Sequence, residues 1–208
     1  MIMIISFIGM SGSGKSYWSK QLQKRGYKWF CCDDLIEQKL SEELNKLGYS
    51  GINDVAKWMG QPFDPQYKTA SKKYLQLENE VIEEIFAFIE NSSVKEDIII
   101  DTTGSVIYAQ KELLQTLTRL AKVIYFETPD SVKEEMYKLY LKDPKPVLWG
   151  SVFKKTKDED AMKTLARCYP KLLSYRSNKY EKLAHIKLDY HTLCNPEFTV
   201  DLFLQAIQ

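Results

Sequence analysis

Residues 9–16 read Gly9-Met10-Ser11-Gly12-Ser13-Gly14-Lys15-Ser16. This is the spacing G-x-x-x-x-G-K-[ST] of a phosphate-binding P-loop. Glycines let the backbone curl into a tight nest, and the helix that follows aims its free N–H groups at phosphate oxygens. Lys15 then reaches the β- and γ-phosphates, and Ser16 supplies a hydroxyl to Mg²⁺. The flanks fit the motif. Ile2 to Ile8 is an apolar, β-branched run that predicts a buried strand, and Tyr17 to Arg25 predicts a helix with Trp18 and Leu22 on one face. Strand, loop and helix in that order is the context the motif needs.

Beyond the loop, strand and helix signals alternate. Tyr27 to Cys32 predicts a second strand, and Asp34 to Leu47 a helix ended by Gly48. A short helix is expected over Ile52 to Met59, and a long one over Ala70 to Asn91, where Tyr74, Leu77, Val81, Ile85 and Phe88 recur at spacings of three and four. Asp97 to Asp101 and Lys122 to Phe126 are the next strands, with helices after each, around Gln110 to Leu120 and Asp130 to Leu141. Asp158 to Leu183 predicts a helix broken at Pro170; His185 to Asp189 is the last strand, and Pro196 opens a closing helix. Such a pattern implies a three-layer α/β fold: a five-stranded parallel sheet with helices on both faces. Ligands in such folds gather at the C-terminal strand ends. The P-loop, Asp33, Asp34 and Asp101 all follow strands directly, so they are expected on one rim.

Composition narrows the function classes. The 208 residues suffice for one α/β domain spanning 1–208. Twenty-nine basic against 28 acidic residues give a net charge of +1, so no global field favours nucleic acid or a membrane surface. No apolar stretch of membrane-spanning length occurs. The four cysteines, Cys31, Cys32, Cys168 and Cys194, include no C-x-x-C pair and read as free thiols. The expected compartment is the cytoplasm, and the expected state a monomer or weak dimer.

Phosphoryl transfer needs a phosphate cradle, a metal, an acceptor base and charge neutralisation. Three isoleucines followed by Asp101 resemble a Walker B strand, whose acid would hold Mg²⁺; capping a turn is the plainer role. Asp33 and Asp34 can accept a proton from an acceptor hydroxyl or cap the following helix. Residues 142–157, rich in Lys, Pro and Gly, predict a mobile lid that contains Trp149 and whose closure would bring cations among Lys138, Lys142 and Lys145 to the phosphates, though loop lysines are commonly just solvated. Arg176 can clamp an anion or form a surface ion pair.

Taken in order, these segments resemble the shikimate kinase family of P-loop kinases. Asp33-Asp34-Leu35-Ile36-Glu37 fits the family's D-x-x-I-E; Lys145-Pro146-Val147-Leu148 is similar to its lid motif R-P-L-L. Arg176-Ser177-Asn178-Lys179-Tyr180 is similar to the late R-x-P-L-Y segment, and Asn195-Pro196 to a pair near the adenine. The resemblance implies an ATP-dependent kinase acting on a hydroxyl of a small, anionic acceptor. ATP would be held by Gly9, Ser11, Gly12, Ser13, Gly14, Lys15, Ser16, Tyr17 and Lys145, with Mg²⁺ on Ser16 and Asp101. The acceptor would meet Asp33, Asp34, Thr102, Thr103, Gly104 and Arg176, and Lys15, Asp33 and Asp101 would carry the chemistry. The substrate-binding helical region would span about residues 33–91. Shikimate is the leading acceptor that the resemblance implies. Departures concentrate there. Leu75 stands where the family's F-R-x-x-E has a carboxylate-binding arginine, Cys31 where it has an acid, and Thr102-Thr103-Gly104 where it has three glycines. Asp101-Thr102-Thr103 also resembles the h-h-h-D-[AT]-T of kinases that act on nucleic-acid ends or other hydroxyls. A nucleoside, nucleotide or polyol kinase, or a nucleotide-binding module without catalysis, are the alternative readings.

Overall fold

In a computed structural model, which describes residues 2–91 and 95–208, the apolar run before the P-loop forms β1 (Ile4–Gly9) and the residues after it form α1 (Lys15–Gln23). β2 (Lys28–Cys31) leads into α2 (Cys32–Lys46), α3 (Ile52–Met59) and the long α4 (Tyr67–Asn91). β3 (Ile98–Asp101), α5 (Lys111–Leu120), β4 (Lys122–Phe126), α6 (Lys133–Lys142), α7 (Ala161–Leu183), β5 (Ile186–Leu188), α8 (Tyr190–Cys194) and α9 (Val200–Ala206) complete the order. The strands form one parallel sheet in the order β2-β3-β1-β4-β5. Each pair of neighbours is parallel, so all C-terminal ends share an edge.

Period-two alternation divides the core. Ile8, Ile98, Ile100, Val123 and Tyr125 face α2, α4, α5 and α7. Ile5, Phe7, Ile99, Ile124 and Phe126 face the other way, toward α1 and α9. On that second face Trp18 stacks on Phe203, with ring centroids 4.5 Å apart and an 18° interplanar angle, which ties α1 to the last helix. Strands buried on both faces read as continuous apolar runs, as DIIID and KVIYF do.

Two expectations differ from what is observed. α7 runs unbroken through Pro170. Pro170 cannot donate to the carbonyl of Ala166, but both residues are exposed, so water can satisfy that carbonyl while Leu165, Tyr169, Leu172 and Leu173 bury the opposite face. The closing helix begins not at Pro196 but after Thr199, whose hydroxyl caps it by accepting from Leu202 N; the five-residue α8 precedes it. Among the described residues no helix is long and apolar enough to cross a membrane.

Pro170 touches solvent and contributes no core packing. Pro170→Ala restores a helical N–H, and is expected to raise the free energy of unfolding by about 1–2 kcal/mol. Urea denaturation measures this; a less stable variant would show that the helix depends on the proline.

Candidate active site

The strand register builds the site. Asp101, the last residue of β3, pairs with Phe7 of β1 on one side and with Cys31 of β2 on the other. The P-loop leaving β1, the acid ending β3 and the acids opening α2 therefore meet at one rim.

Gly9 sits where only glycine fits. Its φ is +147°, and a Cβ there would stand 2.8 Å from the carbonyl oxygen of Phe126. α1 then starts without a side-chain cap, leaving first-turn N–H groups for a ligand. Lys15 is buried, and its Nζ donates to the carbonyls of Gly9 (3.1 Å) and Met10 (3.0 Å), which curls the ammonium under the loop. Ser13 is buried as well, and its hydroxyl has no protein partner. A buried, unpaired hydroxyl inside a ring of N–H groups suits phosphate oxygens.

Asp101 is 3 % exposed, and its Oδ2 lacks a hydrogen-bond partner. Burial pushes its carboxyl up, while the Lys15 charge and the hydroxyls of Ser16 and Ser19 pull it down. An orphaned carboxylate oxygen beside a serine hydroxyl is a hard-oxygen donor set, so the residues present fit Mg²⁺. Half-buried Asp33 accepts from the Tyr74 hydroxyl at 3.2 Å. Burial again raises its carboxyl, opposed by Lys15 and reinforced by Asp101. Asp34 is exposed.

A cavity of about 600 Å³ opens beside these groups. Its lining includes Ser11, Gly12 and Ser16 of the loop and α1, Lys20, Asp33, Asp34, Thr103, Gly104, Lys145 and Arg176. A second cavity of about 470 Å³ lies on the other side of the loop, between Gly12, Ser13, Gly14 and Tyr17 and the α8 end, where Asn195 and Pro196 sit. The pair expected near the adenine thus lines one cavity and the residues expected to meet the acceptor line the other, with Gly12 of the loop common to both.

Arg176 is 4 % exposed. One guanidinium nitrogen donates to the Leu148 carbonyl at 2.9 Å, Nε has no partner, and among the described residues no carboxylate lies within ion-pair distance. Its carbon lies 5.7 Å from the Tyr108 ring centroid. Gly104 packs against it so closely that a Cβ there would lie 3.3 Å from both Arg176 Nη1 and the backbone N of Ser11. The alternative reading of a surface ion pair does not hold; the residue is a buried cation.

Thr102 and Lys145 stand apart from the roles expected of them. The Thr102 hydroxyl donates to the Phe7 carbonyl at 2.7 Å and knits β3 to β1, and Thr102 does not line the cavity. The Lys145 ammonium is committed to Asn53 and, at 3.0 Å, to Asp143, on the acceptor side rather than over the loop. The segment between α6 and α7 has neither helix nor strand, yet its middle is packed. Trp149 is 1 % exposed against Tyr140, Tyr169 and Phe153. The Tyr67 hydroxyl fastens it, accepting from Trp149 N (2.8 Å) and donating to the Val147 carbonyl (3.0 Å).

Sequence reasoning missed Glu78. It is fully buried, accepts from the Ser105 hydroxyl at 2.9 Å and from the Thr103 hydroxyl, and so holds the β3 exit turn beneath the cavity. Its signal was available: an acid four residues after Tyr74, inside the apolar stripe of α4.

A shikimate kinase from Acinetobacter baumannii, solved in complex with shikimate, is 20% identical, with 100% of this chain and 92% of that chain covered and a TM-score of 0.62. The enzyme from Aquifex aeolicus is 20% identical over 99% and 96%, with a TM-score of 0.57, and that from Bacteroides thetaiotaomicron 14% identical over 100% and 97%, also at 0.57. The chain has the shikimate kinase fold. No family model and no curated protein matches its sequence.

Burial lifts the Glu78 carboxyl to about 7 from an ordinary 4.5, against the two hydroxyls that pull it down. The folded state therefore binds more protons than the unfolded state between those values, and stability falls as pH rises through that window. Asp33 and Asp101, also raised, add the same sign. Urea melts from pH 4.5 to 7 are expected to show the wild type losing on the order of 3 kcal/mol more than Glu78→Gln. Parallel curves would contradict this.

Proposed function

We propose that the chain is an ATP-dependent small-molecule kinase, moving the γ-phosphoryl of MgATP to a hydroxyl of an anionic acceptor. The observation that carries this is a convergence: P-loop residues, Asp33 and the buried Arg176, which has no carboxylate within ion-pair distance, line one cavity, and Asp101 lies beside Ser16 of the loop. A buried cation with no carboxylate in direct contact is costly unless a ligand supplies the anion.

Each residue has a task. Lys15 exchanges the carbonyls of Gly9 and Met10 for β- and γ-phosphate oxygens, and the loop N–H groups hold the remainder. Ser16 and Asp101 would hold Mg²⁺, which would neutralise negative charge on the phosphates. Asp33, oriented by Tyr74, takes the proton of the acceptor hydroxyl; that oxygen bonds to the γ-phosphorus as the bond to the β-phosphate oxygen breaks and ADP leaves. Arg176 fixes the acceptor's anionic end, and the anchored 147–149 segment shields the site from water. Shikimate, which the Acinetobacter baumannii enzyme holds in its structure, is the first acceptor to test.

ADP release with MgATP and shikimate, followed by a coupled assay, tests the reading. Lys15→Ala is expected to lose about 10²–10³-fold in turnover while retaining its circular-dichroism spectrum. Asp33→Asn is expected to keep nucleotide binding and lose about 10²-fold or more in kcat. Turnover unchanged in Lys15→Ala would refute the kinase reading.

A further inference from the structure

The second cavity differs in kind from the first. Charged side chains line the first; none lines the second. Tyr17, Trp18, Tyr190 and Phe198 make the second largely aromatic, and it shares the loop residues Gly12, Ser13 and Gly14. A nucleotide whose phosphates lie in the loop has an uncharged, flat-walled place for its base here, and not among the acids and cations of the first cavity.

Among these rings Tyr17 is the open one. It is 60 % exposed in the first turn of α1, directly after Ser16. It meets Trp18 edge to face, with centroids 5.6 Å apart and an interplanar angle of 89°, so that contact takes at most one of its faces. Trp18, by contrast, is buried and stacked on Phe203. A base can lie flat on Tyr17, and such stacking is tolerant because every base has a π-face.

The polar groups of the cavity do not sort purines either. Asn195 is tied into the turn after α8: its backbone N donates to the Thr192 carbonyl (3.2 Å), its carbonyl accepts from Phe198 N (2.9 Å), and its side-chain oxygen accepts from Glu197 N (2.9 Å). Its side-chain N–H₂ is left to meet a 6-oxo group. Leu193 and Cys194, at the end of α8, carry carbonyls beyond the reach of helical donors, which suit a 6-amino group. The Tyr17 and Tyr190 hydroxyls can donate or accept, and the Trp18 indole N–H can meet the N3 or N7 acceptors that purines share. Strong rejection of one purine needs a buried group that this base alone leaves unpaired. Ser13 Oγ is buried and unpaired, but it sits within the loop, 3.1 Å from where a Gly9 Cβ would stand.

We propose that Tyr17 is the stacking platform for the base of the phosphoryl donor, and that this cavity takes 6-amino and 6-oxo purine nucleotides alike. The donor class is purine nucleoside triphosphate, wider than ATP; the smaller pyrimidines cover less of the ring and bind more weakly. This deepens the kinase reading and rests on it.

Titration calorimetry on the whole chain with Mg²⁺ and the diphosphates ADP, IDP, GDP and UDP tests it without an acceptor. The three purine nucleotides are expected to bind within about tenfold of one another, and UDP more weakly than any of them by about tenfold or more. Tyr17→Ala, at an exposed position, is expected to weaken all three purine nucleotides by about tenfold with an unchanged circular-dichroism spectrum, and Tyr17→Phe to restore them. A preference for ADP over IDP and GDP beyond that margin, UDP inside it, or purine affinities that Tyr17→Ala leaves unchanged would each overturn the proposal. Absence of binding by all four would instead overturn the kinase reading beneath it.

Discussion

The parallel register that seats Asp101 between Phe7 and Cys31 is the constraint on which the remaining site depends. β1 is hydrogen-bonded along both edges, so the residue that leaves it, Gly9, cannot shift without breaking two ladders. Gly9 lies under the Phe126 carbonyl, too close for any side chain. Once the loop exit is fixed, α1 must start at Lys15, and the acid at the end of β3 must lie behind it. A slip of one residue in β3 would turn Asp101 to the opposite face of the sheet and bring an isoleucine to the rim. The Thr102 hydroxyl on the Phe7 carbonyl locks that register at the point where it matters.

Electrostatics then makes the site unstable by itself and suited to ligands. Asp33, Asp101 and Glu78 are all pushed toward the protonated form by burial. Lys15 offsets part of this for the two aspartates, and Arg176 part of it for Glu78. Buried charge held without full pairing costs stability, and here it collects at the P-loop rim and beneath the first cavity. Glu78 has a particular part: its carboxylate accepts from Thr103 and Ser105 and shapes the turn after β3.

The fold was legible in the sequence because its signals are local. Continuous apolar runs such as DIIID and KVIYF, separated by amphipathic helices, demand a doubly covered parallel sheet, and the P-loop marks the first strand exit. Pro170 misled because local chemistry predicts a break, while packing on the buried face of α7 and water on the exposed face tolerate the proline. The short α8 has too few residues to show a period. Candidate site residues placed by strand ends, Asp33 and Asp101 among them, could be named from sequence. Arg176 could be nominated only through resemblance, since nothing in its neighbours announces that it is buried. Tyr74 on Asp33, Thr103 on Glu78 and Tyr67 on Trp149 were out of reach, because each bond joins positions far apart in the chain and tertiary geometry alone creates it.

The central claim is that donor phosphate and acceptor hydroxyl meet between the P-loop and Asp33. Incubation with ATP labelled at the γ-phosphorus and a hydroxylated monocarboxylate, followed by product separation, tests this directly. The account requires the label to appear in a phosphate ester of the acid, in step with ADP formation and lost in Asp33→Asn. Label found solely in inorganic phosphate, with the acid unchanged, would contradict it.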